Sequence, residues 1–411
     1  MLVVKKRNGD SAVFNPEKIK LAVSKAMSRT DYVDETVLDY VVDYVRNRID
    51  TDEVTVDDIH ILVENGLMDM KAFDVAREYV TYRKEHMPDI FRARVNYKPF
   101  EYPSLAQYVD AIQHSYWVVS EYNFTSDIQD FKVNLSDVER ECVKRAMLAI
   151  SQVEVAVKTF WSKVGDRLPK PELQEVGAVF SESEVRHSRA YSHLLEILGL
   201  NTDFEKVLNV PAIRKRVEYA QKALDKSKTE SNRDYLESIL LFSLFIENVS
   251  LFSQFLIISQ MNKESGVLKG ISNVIAATSL EEVTHNNFGC ALVNEIRKEH
   301  PEWFDDDMNE RLTQMVWQAF EAEKNIVDWI FEYGELPYLS KKEVYEYIKN
   351  RFNMGLTQAG FNKVFLIEDG SLDRVRWFDV QNNSTTHTDF FAKRSVNYTK
   401  FSKSFDEDDL F

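Results

Sequence analysis

The sequence predicts a mainly α-helical protein, a large helical bundle preceded by a small α+β domain, and three observations predict it. Glycine and proline are scarce, 12 and 9 in 411 residues, a composition that favours long helices over sandwiches, barrels or disorder. No proline falls between Pro211 and Pro301, and helical periodicity runs from about Leu105 to Tyr347. The N-terminal segment alone carries short apolar runs punctuated by a turn.

In chain order, Leu2 to Val4 and Ala12 to Phe14 flank a polar turn containing Asn8, Gly9 and Asp10, the pattern of a small β-hairpin. Asn15 and Pro16 then open a helix as N-cap and first helical residue. Further amphipathic helices reach Arg83. The stretch from Arg92 to Ser104, with Pro99 and Pro103, reads as a linker. The expected organisation is a small domain over 1–92, a linker over 93–104, a bundle over 105–350 and a C-terminal segment over 351–411 that ends in the acidic, apolar-tipped FDEDDLF.

Lys plus Arg number 51 against 67 Asp plus Glu, a net charge of −16, which argues against nucleic acid as a partner. Cys142 and Cys290 show no CxxC spacing, so neither a disulfide framework nor a zinc–thiolate site is expected. With neither a transit segment nor a signal core at the start, the expected location is the cytoplasm.

The run Ile239 to Met261 holds a single formal charge, Glu247, in 23 residues. Its length would cross a membrane, but four serines, two glutamines, an asparagine and the carboxylate favour the centre of a globular bundle, and no membrane partner is expected. Between Arg145 and Lys158 the only charge is Glu154. An ionised carboxylate in such surroundings costs several kcal/mol unless it is paired or binds metal. Partners come from two Glu-x-x-His pairs, Glu184/His187 and Glu282/His285, whose spacing sets both side chains on one helix face.

Such pairs alone carry little. With 67 acids in 411 residues, eight histidines meet an acid three positions earlier about 1.3 times by chance, and three are seen, counting Asp57/His60. The order carries the argument: Glu, Glu-x-x-His, Glu, Glu-x-x-His on successive helices is the inventory of the ferritin-like dimetal-carboxylate bundles, matched here to a known pattern. Four carboxylates and two neutral imidazoles balance two divalent cations, and an oxygen-rich set with two nitrogens suits iron or manganese better than zinc. Tyr191, four residues after His187, shares that face, either as a core aromatic or as a one-electron donor.

The segments SESEVRHSRAYSHLLEILG (Ser181 to Gly199) and SLEEVTHNN (Ser279 to Asn287) resemble the radical-generating small subunit of class I ribonucleotide reductase, and the resemblance runs from about Tyr108 to the C-terminus. It implies that Glu154, Glu184, His187, Glu247, Glu282 and His285 bind two iron or manganese ions. It also implies that Tyr191 stands at the radical tyrosine's position, and that either this tyrosine or the metal pair holds the oxidising equivalent. Trp117, in HSYW, matches the tryptophan that starts long-range radical transfer, Glu281 an acid of that relay, and Tyr398 the mobile tyrosine that bridges to the large subunit. Glu154 and Glu281 depart from the family, which more often has Asp at both places. The tail would dock the large subunit through Leu410 and Phe411, and a homodimer is implied.

The N-terminal segment resembles an ATP-cone. Val4, Lys6, Arg7 and Gly9 give V-x-K-R-x-G, Phe14, Lys18 and Ile19 give F-x-x-x-K-I, and DDIHILVE follows at Asp57 to Glu64, with no Walker P-loop. Lys6, Arg7 and Lys18 are placed to meet triphosphate oxygens, and His60 and Lys84 match further nucleotide contacts. The resemblance implies that ATP, with magnesium, activates and that dATP inhibits through a higher oligomer. Two other readings stand beside this one: a free-standing ferritin-like dimetal oxidase, and a nucleotide-sensing adaptor whose bundle is only a scaffold.

Overall fold

The computed structural model describes residues 2–5, 11–86 and 88–389, with the side chains of 85, 86, 154–157 and 383–389 set aside. Two compact units emerge, one on residues up to Asp89 together with Pro99–Pro103, the other on Ile90–Lys98 and the residues from Ser104 on.

In the small unit, β1 (Val3–Lys5) pairs antiparallel with β2 (Ser11–Val13), Val4 opposite Ala12, as the hairpin reading expects. The sequence did not announce β3 (Glu53–Thr55), which adds parallel to β1 with Val4 opposite Val54. Three residues with one buried side chain give too short an alternation to read. Helices α1 (Pro16–Met27), α2 (Thr36–Arg46), α3 (Val56–Asp69) and α4 (Phe73–His86) complete the unit. Asn15 caps α1 as expected, its side chain accepting from the Glu17 amide at 3.0 Å. Thr55 and Asp58 form a reciprocal capping box at the start of α3. Ile19, Val23, Val41, Val63, Leu67 and Val75 make this unit's own core.

The large unit begins with short helices α5 (Pro103–Ala106), α6 (Tyr108–His114) and α7 (Thr125–Gln129). The long α8 (Asp137–Trp161) follows, opened by a Ser136/Glu139 capping box. After α9 (Val164–Arg167) comes α10 (Pro171–Leu198), which starts on a proline and ends at Gly199 with φ 75°. Then come α11 (Asn201–Glu205), α12 (Pro211–Ser227) and α13 (Asn232–Leu240), a π-helical stretch over Leu241–Ser250, and α14 (Phe252–Ser265). The unit closes with α15 (Lys269–Glu299), α16 (Asp306–Ile330), α17 (Lys341–Gln358) and α18 (Arg376–Asp389). Helical structure thus continues past Arg351, where the sequence periodicity fades.

The apolar run that could by length cross a membrane spans Asn232–Ser265 and is buried along its most apolar window, so it is the centre of the bundle. Its π-helical middle packs on α15, and α8 packs along α10. Where the π stretch returns to α-helix, Arg216 of α12 braces the turn, donating to the Ser250 carbonyl at 3.3 Å and to the Ala149 carbonyl of α8. Its charge is matched by the buried Glu323, 3.5 Å away. At its start, α15 is held by Asp127, whose carboxylate accepts from the amides of Gly270 and Ile271 at 3.0 and 2.7 Å.

Candidate metal centre

Three helical segments bring five of the expected ligands together because each carries them on its inward face. From α10 come Glu184 and His187, from the π stretch Glu247, from α15 Glu282 and His285. Ligand atoms of Glu184, Glu247, Glu282 and His285 lie within 4.8 Å of one another, all fully buried. His187 joins them, its Nδ1 3.1 Å from Glu282 Oε1 and 3.4 Å from Glu184 Oε2. Glu154 lies on α8, and its side chain is outside the described residues.

Hydrogen bonds on the far side of each imidazole fix which nitrogen faces the carboxylates. Ser183 Oγ donates to the Phe180 carbonyl at 2.7 Å, so its oxygen accepts from His285 Nε2–H at 3.0 Å. His187 Nε2–H donates to Glu281 Oε2 at 2.7 Å. Both Nδ1 atoms are thereby aimed at carboxylate oxygens, the orientation an outer partner imposes on a ligating histidine.

The acids of this cluster have no lysine or arginine as an ion partner among the described residues, only the two histidines. Both oxygens of Glu184 and Oε1 of Glu282 accept no hydrogen bond. Burial pushes Glu247 well above the ordinary carboxylate range, and the charges of Glu282 and Glu184 push it the same way. Burial opposes ionisation of the other groups too, yet His187 and His285 hold Glu184 down, and contact with Glu247 and both histidines holds Glu282 down. The histidines are driven well above their usual value against burial, His187 chiefly by Glu184 and His285 chiefly by Glu247. Buried, acid-rich and short of counter-charge, the cluster has the donor set and the electrostatics of a divalent-cation site.

Trp117, Glu281 and Tyr191 are placed beside it. Trp117 donates from Nε1 to Glu281 Oε2 at 3.1 Å and stacks on the His187 ring at 5.9 Å between centroids. Tyr191 is buried and stacks on Phe255. Residues that the sequence did not single out complete the surroundings. Trp161, at the end of α8, donates from Nε1 to Glu247 Oε1 at 2.6 Å. Arg186 pairs with Glu281 at 3.0 Å, and Ser115 donates to the same carboxylate at 3.2 Å. A signal existed for two of them: Trp161 follows Glu154 by seven positions, hence on its face, and Arg186 is a charge set between two inward ligands.

In the small unit, Val4 sits half-buried in β1, Lys18 is exposed on the first turn of α1, and Lys84 is exposed on α4. His60 of α3 meets the Tyr79 hydroxyl at 2.9 Å. Lys6, Arg7 and Tyr398 lie outside the described residues, as do Leu410 and Phe411.

Residues 94–371 match the family "Ribonucleotide reductase, small chain", and residues 2–88 match the ATP cone domain. The chain is similar to the probable ribonucleoside-diphosphate reductase small subunit of Invertebrate iridescent virus 3, 25% identical over 324 residues that cover 75% of this chain and 85% of the viral protein. Its fold is similar to that of a ribonucleotide reductase R2 subunit from Clostridium botulinum, with a TM-score of 0.64 and 17% identity over 70% of this chain and 91% of that one. It is also similar to an R2-like ligand-binding oxidase with a Mn/Fe cofactor, with a TM-score of 0.56 and 18% identity over 66% of this chain and 100% of the oxidase.

Proposed function

The chain belongs to the ribonucleotide reductase small-chain family and carries an ATP-cone domain, and on that premise we propose that it is the radical-generating subunit of a class I ribonucleoside-diphosphate reductase. Glu154, Glu184, His187, Glu247, Glu282 and His285 would hold two iron or manganese ions. A metal pair bound there supplies the one-electron oxidising power of the subunit. The observation that carries this reading is the buried cluster of three acids and two histidines with no lysine or arginine to match it among the described residues.

The chain's own residues do the rest. Ser183 and Glu281 hold the imidazoles with Nδ1 inward. Phe180 and Trp161 pack their rings on His285, and Phe288 packs behind both of them. Tyr191 stands as a candidate one-electron donor. From His187, hydrogen bonds run through Glu281 to the indole of Trp117, a continuous path between the candidate ligand and that tryptophan. Tyr398 would carry the equivalent onward to the large subunit. Reduction of the ribonucleotide belongs to that partner, since Cys142 and Cys290 are buried and form no dithiol pair. The cone would favour an active assembly with ATP and an inactive oligomer with dATP, which requires nucleotide affinity to differ between assemblies.

Metal analysis together with electron paramagnetic resonance tests the reading. Protein loaded separately with iron and with manganese should hold about two ions per chain and yield a tyrosyl or a coupled metal signal. In Glu247→Ala both should vanish. A wild-type chain that retains no metal after loading would overturn the reading. The likeness to the ligand-binding oxidase sustains a second reading, a free-standing oxidase, which predicts turnover without a large subunit.

A further inference from the structure

We infer that Arg186 is a positioning residue for the electron path: its guanidinium fork orients the Glu281 carboxylate so that one oxygen, Oε2, joins Trp117 to His187. The inference rests on the reading of that path given above.

Glu281 is fully buried on α15 and receives five donors. Oε2 accepts from His187 Nε2 at 2.7 Å, from Trp117 Nε1 at 3.1 Å and from Arg186 Nη1 at 3.2 Å. Oε1 accepts from Arg186 Nη2 at 3.0 Å and from Ser115 Oγ at 3.2 Å. Indole and imidazole thus meet at a single atom. A glutamate's terminal torsion is broad and roughly two-fold, so point donors do not choose which oxygen they share. A planar fork does, because two parallel N–H groups must face both oxygens along one edge.

Arg186 is itself fixed. Nε donates to both oxygens of Glu182, at 2.9 and 3.1 Å, one turn earlier on α10. Nη1 also donates to the Trp117 backbone carbonyl at 3.3 Å, and the guanidinium lies over the Tyr116 ring at 4.6 Å. One side chain therefore holds both the indole's own backbone and the acceptor that the indole must reach. Arg186 and His187 are consecutive on α10, so they leave the helix in different directions and grip Glu281 from two sides. A glutamate relay acid also has one more rotatable bond than an aspartate to restrain. Arg186 further supplies the opposite charge that this buried carboxylate needs.

The test uses the full chain carrying Arg186→Gln or Arg186→Lys. The indole N–H of Trp117 is followed by nuclear magnetic resonance in the metal-free, 15N-tryptophan-labelled protein, assigned by its loss in Trp117→Phe. Both variants should shift that resonance upfield as the hydrogen bond weakens, while metal content and the one-electron-oxidised state of loaded protein stay within about twofold of wild type. Turnover with the large subunit should fall about tenfold to a hundredfold in kcat, at unchanged KM for that subunit, the scale expected of a misplaced reacting group. An unmoved indole resonance in Arg186→Gln overturns the inference. Wild-type resonance and kcat in Arg186→Lys overturn the role of the fork, because lysine keeps the charge without it, and this variant decides alone if the glutamine form does not fold. Since the indole is read without metal, a chain that binds none would sink the dimetal reading and still leave Arg186 to be judged.

Discussion

Two tryptophans each donate an indole N–H to a buried acid, and the acids they meet differ in how their charge is balanced. Glu281 takes Trp117 together with an arginine, so it is a matched ion. Glu247 takes Trp161 and has no such partner among the described residues, so its charge must be met by a cation or lost to a proton. Trp161 then orients a candidate metal ligand. Trp161→Phe keeps the aromatic packing on Phe160 and Phe180 but removes the donor, and it should weaken metal binding by about tenfold to a hundredfold, the usual effect of losing an outer partner. Chelator competition measures this. A thermal melt of the metal-free variant should show that it stays folded, with a loss of about 1–3 kcal/mol for the vacated volume. Unchanged metal affinity would mean that the indole only packs. The acids of the site were legible in the sequence because a single charge inside an apolar run is conspicuous. Trp161 and Arg186 were not singled out, since an aromatic at a helix end and a charge among many are ordinary until a partner from a distant segment is seen to meet them.

The π stretch that carries Glu247 belongs to the scale of elements. Its residues are buried on every side, so the sequence has no polar face from which a change of helical period could be read, and the widened turns stayed hidden although the helix itself was plain. Such stretches cluster at functional sites because they rotate a side chain out of its α-helical place. This one is pressed against α15 where Gly289 faces Ser243, and a Cβ at 289 would collide with that serine. Gly289 lies four residues after His285 and Ser243 four before Glu247, so the contact sits one turn from a candidate ligand on each helix. Gly289→Ala should cost about 1–3 kcal/mol in denaturant unfolding, the range for overpacking a filled core. It should also lower metal occupancy by pushing the two helices apart. A variant as stable as wild type would show that the π stretch yields without strain.

At the scale of the whole molecule, the small unit has its own core and the large unit carries the candidate metal cluster. Nucleotide effects should therefore reach turnover through assembly rather than through the ligands. Size-exclusion chromatography of the full chain should show a larger species with dATP than with ATP at equal metal content, and identical elution with both nucleotides would remove the switch.

The tail poses the matching question at the other end of the chain. Residues 406–411 hold four acids followed by Leu410 and Phe411, a composition that would suit a short apolar anchor with charges that speed encounter with a basic surface. If turnover requires delivery of an oxidising equivalent to a second protein, removing these six residues should abolish ribonucleotide reduction while the metal content and the paramagnetic signal stay at wild-type levels. Losing an anchor of two buried side chains costs about 3–6 kcal/mol of association, enough to dissociate a micromolar complex, whose total binding energy is about 8 kcal/mol. A free-standing oxidase would not notice the truncation, because its substrate would come to the bundle and not to the tail. Measuring ribonucleotide turnover with the large subunit, and oxidant consumption without it, on the same truncated protein separates the two.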